Sequence, residues 1–187
     1  AGMVAELLEK NGRIVFVSSP AACDSVKTIA GEEFPVFGDR VVSVDPEWSG
    51  FSELELGGIE FGFFGVNHAG PGQTPFKTLA TVVDIGGVRF AHLADDVAPS
   101  SEEFYKAVDL KSRGVDIVFA DRFFLADSIG QRLMREFIDP EYVILMHLRN
   151  EEIDAAFEEL SPLYPNLVVF HEQFEKKIFA GSGKADN

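Results

Sequence analysis

Three of the four histidines in this 187-residue chain, His68, His92 and His147, stand at or near the C-terminal end of a strand-like run. One of those runs, GVRFAHLADD (residues 87–96), places Asp95 and Asp96 just beyond His92. Imidazole and carboxylate groups suit zinc or manganese, and strand ends are where side chains from distant segments converge. The set therefore reads as a candidate divalent-metal site. Each member also has a plainer reading. His68 is then a loop histidine, His92 a hydrogen-bonded structural one and His147 a strand-end residue, while Asp95 and Asp96 cap a helix or close the strand. The fourth histidine, His171, follows NLVVF and reads as structural or exposed.

The elements that must position these residues follow from periodicity and punctuation. In the opening segment Val4, Leu7 and Leu8 have helical spacing, and Asn11-Gly12 stops the helix. RIVFVSS (13–19) reads as a buried strand, Pro20 opens a helix with Asp24 and Lys27 outward, and RVVSVDP (40–46) alternates as a strand. Residues 52–68 form a hairpin turning at Gly57-Gly58, and residues 79–96 a second turning at Gly86-Gly87. Between them AGPGQTP is a loop rich in chain breakers.

Beyond residue 97 the pattern changes to helices alternating with buried strands. Residues 100–114 read as a helix capped by Ser100 or Ser101, with acidic residues in its first turn. Then come a strand at 115–120, a helix at 126–138, a strand at 142–147, a helix at 150–164 with Ile153, Phe157 and Leu160 inward, and a strand at 166–172. Hairpins followed by β-α units describe an α+β or layered α/β domain. One domain over 1–180 is expected, with a flexible tail at 181–187.

Composition bounds the function. Hydrophobic residues make up 46% and charged residues 25%, with 18 phenylalanines, so an aromatic core is expected. A formal net charge of −15 argues against a nucleic-acid backbone or an anionic membrane as partner. An anionic substrate stays compatible, because a bound divalent ion reverses the local field. The single cysteine, Cys23, excludes an intrachain disulfide and fits a reducing compartment. No apolar run reaches the roughly 18 to 20 residues that span a bilayer, and the acidic opening is not a signal peptide. A cytoplasmic, soluble protein is expected, acting on a small-molecule substrate and open to forming a homo-oligomer.

The succession GIEFGFFGVNHAG, GGVRFAHLADD, DIVFADRF and YVILMHLRN resembles the metallo-β-lactamase-fold hydrolases, in the branch that includes L-ascorbate-6-phosphate lactonase and N-acyl phosphatidylethanolamine phospholipase D. In that family a strand ends in a metal-ligand histidine, where His68 stands. A following hairpin ends in His-x-Gly-Asp, whose aspartate bridges two metals; here His92-Leu93-Ala94-Asp95 puts Asp95 in that slot and alanine in place of glycine. A later buried strand ends in the last ligand, matched by His147. The resemblance implies a metallo-β-lactamase-like αββα sandwich holding up to two zinc or manganese ions. A metal-activated hydroxide would attack an ester, lactone or phosphodiester.

The family's His-x-His-x-Asp-His signature is absent. Forcing SPAACDS (19–25) onto it keeps only Asp24 in place. The preferred alignment puts residue 1 just downstream of the signature, so that the first strands are missing and an apolar sheet face needs a cover. On the resemblance, His92 and Asp96 are candidates to orient a ligand. Arg122 is a candidate for an anionic substrate group, the plainer reading being an ion pair with Asp121. Two alternatives stand beside the hydrolase: a non-catalytic binding domain of the same fold, and an unrelated α+β protein with structural histidines.

Overall fold

A computed structural model describes residues 1–69, 74, 76–96 and 101–179. The expected tail at 181–187, Ser100 and most of the loop at 69–75 lie outside the described residues. The chain divides into two compact units, Ala1–Pro46 and Glu47–Asn187.

The first unit holds helices α1 (Gly2–Lys10) and α2 (Pro20–Ala30) and strands β1 (Phe16–Ser18) and β2 (Val41–Ser43). The two strands pair in parallel, Phe16 opposite Val41. Ser19 starts α2 as the sequence suggests: its hydroxyl accepts the Ala22 N–H at 3.4 Å and proline fills the first turn. Ala5, Leu8, Val26 and Phe37 form the core. Leu7, expected inward, is 47% exposed, because the stripe one helical turn before Leu8 runs through Val4 and Ala5. Arg40 ties the turn after α1 by donating to the carbonyls of Leu8, Asn11 and Ile14 at 2.7, 2.8 and 3.0 Å. The Cys23 sulfur lies 3.6 and 3.5 Å from the carbonyls of Ser18 and Val42, and burial pushes its thiol pKa up.

The second unit is built on seven strands in sequence order: β3 (Phe51–Leu56), β4 (Ile59–Asn67), β5 (Lys77–Ile85), β6 (Val88–His92), β7 (Ile117–Asp121), β8 (Tyr142–Met146) and β9 (Leu167–Val168). β3 to β6 are antiparallel neighbours, whereas β6 to β9 run parallel. Both hairpins turn where the doubled glycines predict. Gly57, Gly58, Gly86 and Gly87 all have positive φ, between 61° and 83°, a conformation that costs a side-chain-bearing residue about 1–2 kcal/mol. Gly62 has a different role, since a Cβ there would come within 2.0 Å of the Phe51 ring.

Helices α3 (Glu102–Val108), α4 (Arg122–Ala126), α5 (Ser128–Leu133) and α6 (Ile153–Leu160) complete the unit. Its core alternates along the strands, with Phe64, Val66, Ala80, Val82, Ala91, Val118 and Ala120 packing with Tyr105, Phe124, Leu133 and Leu160. Several elements are shorter than their sequence patterns. The helix expected at 100–114 stops at Asp109, which enters the left-handed region. The strand expected at 166–172 pairs only over Leu167–Val168. On α6 the inward position goes to Ala156, and Phe157 is 38% exposed. Among the described residues no helix is long and apolar enough to cross a membrane.

Tyr164 closes the core behind α4 by donating its hydroxyl to the Leu125 carbonyl at 3.0 Å. Burial pushes its pKa up to about 12, with the charge of Arg135 pulling weakly the other way. The fold thus favours the neutral phenol. The resulting stability is full below the ordinary tyrosine value of about 10 and is lost as pH rises from there towards about 12. An ultraviolet titration of the protein against its Tyr164→Phe variant should assign a tyrosinate transition near pH 12 to this residue.

Candidate metal centre

Strand direction decides where the chemistry gathers. β4 is antiparallel to β5 and β5 to β6, so β4 runs the same way as β6, β7 and β8. The C-terminal ends of all four therefore lie along one edge of the sheet, and His68, Asp95, Asp121 and His147 each sit at or just past one of those ends.

His147 follows β8 with a left-handed backbone, φ 63°, a conformation that a histidine holds at a cost and that recurs at functional sites. Its Nδ1 lies 3.1 Å from Asp95 Oδ1 and 3.1 Å from Asp121 Oδ2. Both carboxylates face this nitrogen as charged neighbours. His68 is held by a hydrogen bond: its Nδ1 is 2.7 Å from the Asp95 backbone carbonyl, an obligate acceptor, so Nδ1 donates and Nε2 keeps its lone pair in the neutral ring. His68 thus has its tautomer set by a hydrogen bond at Nδ1, the second-sphere arrangement that orients a metal-ligating histidine.

Asp121 is the residue that the sequence undervalued. It is buried, in contrast to His147 and Asp95, which are 61% and 49% exposed at the side chain. Its Oδ1 caps α4 by accepting the Phe123 N–H at 2.6 Å, leaving Oδ2 towards His147. The expected ion pair with Arg122 does not form. Arg122 is the first residue of α4, and its guanidinium bonds Glu159 of α6, with Nε 3.1 Å from Oε2 and a second nitrogen on the same oxygen. Arg122 is thereby committed to a helix–helix link. The signal for Asp121 was present as a carboxylate at a strand end, one residue before a helix start.

Neither Asp95 nor Asp96 caps α3, whose N-terminal cap is Ser101. Asp96 is buried and accepts the Ser101 hydroxyl at 2.6 Å. His92 makes a local contact: its Nδ1 accepts the Ala94 N–H at 3.0 Å and its ring stacks on Phe119, 6.1 Å between centroids. Burial pulls its pKa down, and the charge of Asp95 offsets part of that. His171 is exposed, 3.6 Å from Asp154. A cavity of about 420 Å³ beside His147 is walled by Met146, Leu148, Ile153, Phe170 and His171. A second, of about 400 Å³, lies at the far ends of the strands around Phe51, Gly62, Arg89 and Arg113, away from every candidate ligand.

The turn that carries Asp95 is strained at Ala94, φ 54°. A left-handed alanine costs about 1–2 kcal/mol, and glycine's extra chain entropy returns about 0.5–1 kcal/mol of that. Ala94→Gly is therefore expected to raise the urea midpoint, by up to about 1 kcal/mol of stability. A lower midpoint would mean that the methyl group makes contacts worth more than the strain.

The donor chemistry fits a divalent cation. Two carboxylates lie 3.1 Å from one imidazole nitrogen, a concentration of negative charge that a cation would offset. The enclosure is incomplete. Among the described residues no group of three or more His, Cys, Asp or Glu side chains is arranged to hold a metal ion.

No protein-family model matches the sequence, and no curated protein matches it by sequence. Solved structures do. The chain is similar to Zn(2+)-bound PqqB from Methylobacterium extorquens, with TM-score 0.52 and 14% identity over 92% of this chain and 68% of that one. It is also similar to the metallo-beta-lactamase fold protein YhfI from Bacillus subtilis, with TM-score 0.49 and 15% identity over 72% of this chain and 54% of that one. A mutant of CmlA beta-hydroxylase follows, with TM-score 0.48 and 16% identity over 70% of this chain and 32% of that one. The chain thus spans between about a third and two thirds of these structures. Its mixed α+β architecture around a large sheet, the class that the order of elements implied, is shared with the PqqB structure.

Proposed function

We propose that this chain carries part of the metal centre of a metal-dependent hydrolase of the metallo-β-lactamase superfamily, acting on an ester, lactone or phosphodiester. The observation that supports it is the meeting of His147 with Asp95 and Asp121 at the sheet edge, with His68 bonded to the backbone of Asp95. His68, Asp95 and His147 would hold the metal, zinc or manganese, and Asp121 would orient His147 or join it as a ligand. A bound divalent ion supplies Lewis acidity at the electrophilic centre and an acidified water. The residues of this chain supply the rest: an Nδ1 bond that fixes His68, carboxylates beside His147, and a cavity next to it of a size for a small molecule.

A second reading, a binding domain of the same fold without catalysis, is favoured by the incomplete enclosure among the described residues. Metal content separates the two. Purified protein is incubated with zinc or manganese, desalted and measured by elemental mass spectrometry, alongside hydrolysis of p-nitrophenyl acetate and bis(p-nitrophenyl) phosphate before and after chelation. Retained metal together with chelator-sensitive hydrolysis is the result expected. Metal-free protein after loading would overturn the hydrolase reading, and retained metal without turnover would favour the binding domain.

A further inference from the structure

Next to the candidate ligands lies a cluster of buried polar side chains that belongs to none of the ligand positions. Ser101 is fully buried, Asp96 is 1% exposed and Asn67 6% exposed. The Ser101 hydroxyl donates to Asp96 Oδ1 at 2.6 Å and accepts the Asn67 backbone N–H at 3.3 Å. The Asn67 side-chain oxygen in turn accepts the N–H groups of Ala69 and Phe76, both at 3.0 Å. Two of the three are adjacent in sequence to a candidate ligand, Asn67 to His68 and Asp96 to Asp95.

The cost of this arrangement is visible at the helix that Ser101 opens. A serine at an N-cap ordinarily turns its hydroxyl onto the backbone N–H groups of the first turn. Ser101 occupies the N-cap of α3 and makes no such bond; its hydroxyl is given to Asp96 and Asn67 instead. Burying a carboxylate is expensive as well, a cost that hydrogen bonds such as the one from Ser101 offset. Tyr105, fully buried on α3, lies against the same carboxylate; burial first, and Asp96 second, push its phenol pKa well up.

We propose that Asp96, Ser101 and Asn67 form a positioning network that sets the separation of His68 and Asp95, an inference that rests on the metal-centre reading above. The two candidate ligands lie on chain segments that reach the sheet edge from β4 and from β6, strands separated by β5. Direct contact between them is one bond, from His68 Nδ1 to the Asp95 carbonyl. The buried network is the second tie: Ser101 bridges the residue before His68 to the residue after Asp95. With both ties in place the two segments cannot slide past each other, and the ligand geometry is preset before an ion arrives. These three residues are positioning residues and do not touch the metal.

Cobalt(II) titration followed by its visible absorption, with thermal unfolding of the same metal-free samples, tests the network. Ser101→Ala removes the bridge, Ser101→Thr keeps it, and Asn67→Ala keeps the Ser101 bridge, which uses the Asn67 backbone N–H, but removes the side-chain bonds to Ala69 and Phe76 that hold the segment around His68. The expected result is a loss of cobalt affinity of about tenfold or more in Ser101→Ala and Asn67→Ala, in the range seen when outer-sphere partners of metal ligands are removed. Ser101→Thr should restore binding close to wild type. Should Ser101→Ala not fold, Asn67→Ala carries the test. Wild-type cobalt affinity in a folded Ser101→Ala or Asn67→Ala protein would overturn the proposal, as would a loss in Ser101→Thr equal to that in Ser101→Ala. Wild-type protein that binds no cobalt would instead overturn the metal-centre reading.

Discussion

On the metal-centre reading proposed above, Asp95→Ala is expected to lower zinc affinity by at least about 100-fold, beyond the 10- to 100-fold seen when only outer-sphere partners are lost. The reasoning is electrostatic before it is geometric. Asp95 and Asp121 both lie 3.1 Å from one imidazole nitrogen, and Asp95 is the more exposed of the two, so its carboxylate is the more accessible to an incoming ion. Removing it takes away one negative charge and leaves Asp121 as the one carboxylate beside His147, which lessens the pull on a cation. The backbone carbonyl that holds His68 is retained in the variant, so His68 stays oriented and the change isolates the carboxylate. Competition with a chromogenic zinc chelator measures the effect. His171→Ala, at an imidazole paired with Asp154, serves as the control and should bind as wild type. Equal affinity in Asp95→Ala and wild type would remove Asp95 from the ligand set.

Phe64→Ala should be the most damaging single change to the fold, costing about 3–5 kcal/mol. Phe64 has no exposed surface and sits between Phe51, at 6.3 Å between ring centroids, and Tyr105, at 5.9 Å edge-on. Its loss opens a cavity where β3, β4 and α3 meet. The total stability of a domain of this kind is about 5–15 kcal/mol, so a large part of it goes with one ring. Urea unfolding followed by circular dichroism reads the loss. Phe123→Ala is the matched control: that ring is 75% exposed, and its removal should stay within about 0.5 kcal/mol of wild type. Similar losses in the two variants would mean that the core is not where the burial pattern puts it.

The two experiments probe different levels of the same argument, and the sequence was unequally informative about them. Doubled glycines between alternating strands placed both hairpins, because positive φ at consecutive positions leaves few other residues or conformations available. Apolar runs identified β7 and β8, strands that lie inside the sheet with neighbours on both sides. Strand-end histidines and Asp95 were singled out for the same reason: the end of a strand is a local property. Periodicity was less able to say which apolar side chain faces inward on a short helix, and Leu7 and Phe157 lie further out than their spacing suggests.

What the sequence by itself determined is therefore the set of elements, their breaks and the residue types that stand at their ends. The tertiary structure alone decided which of those ends meet. Parallel direction in β6, β7 and β8, with β4 aligned to them through β5, puts four strand ends on one edge, and no local pattern fixes strand order. Partner choice was equally out of reach. Arg122 was adjacent to Asp121 and bonded Glu159, 37 residues away, because the first turn of α4 separates the two side chains, leaving Asp121 to cap the helix and face His147. Ser101 looked like a helix cap and became a bridge between two loops. A polar side chain takes its partner from whatever the fold brings within about 3 Å, and that distance is set by segments far apart along the chain.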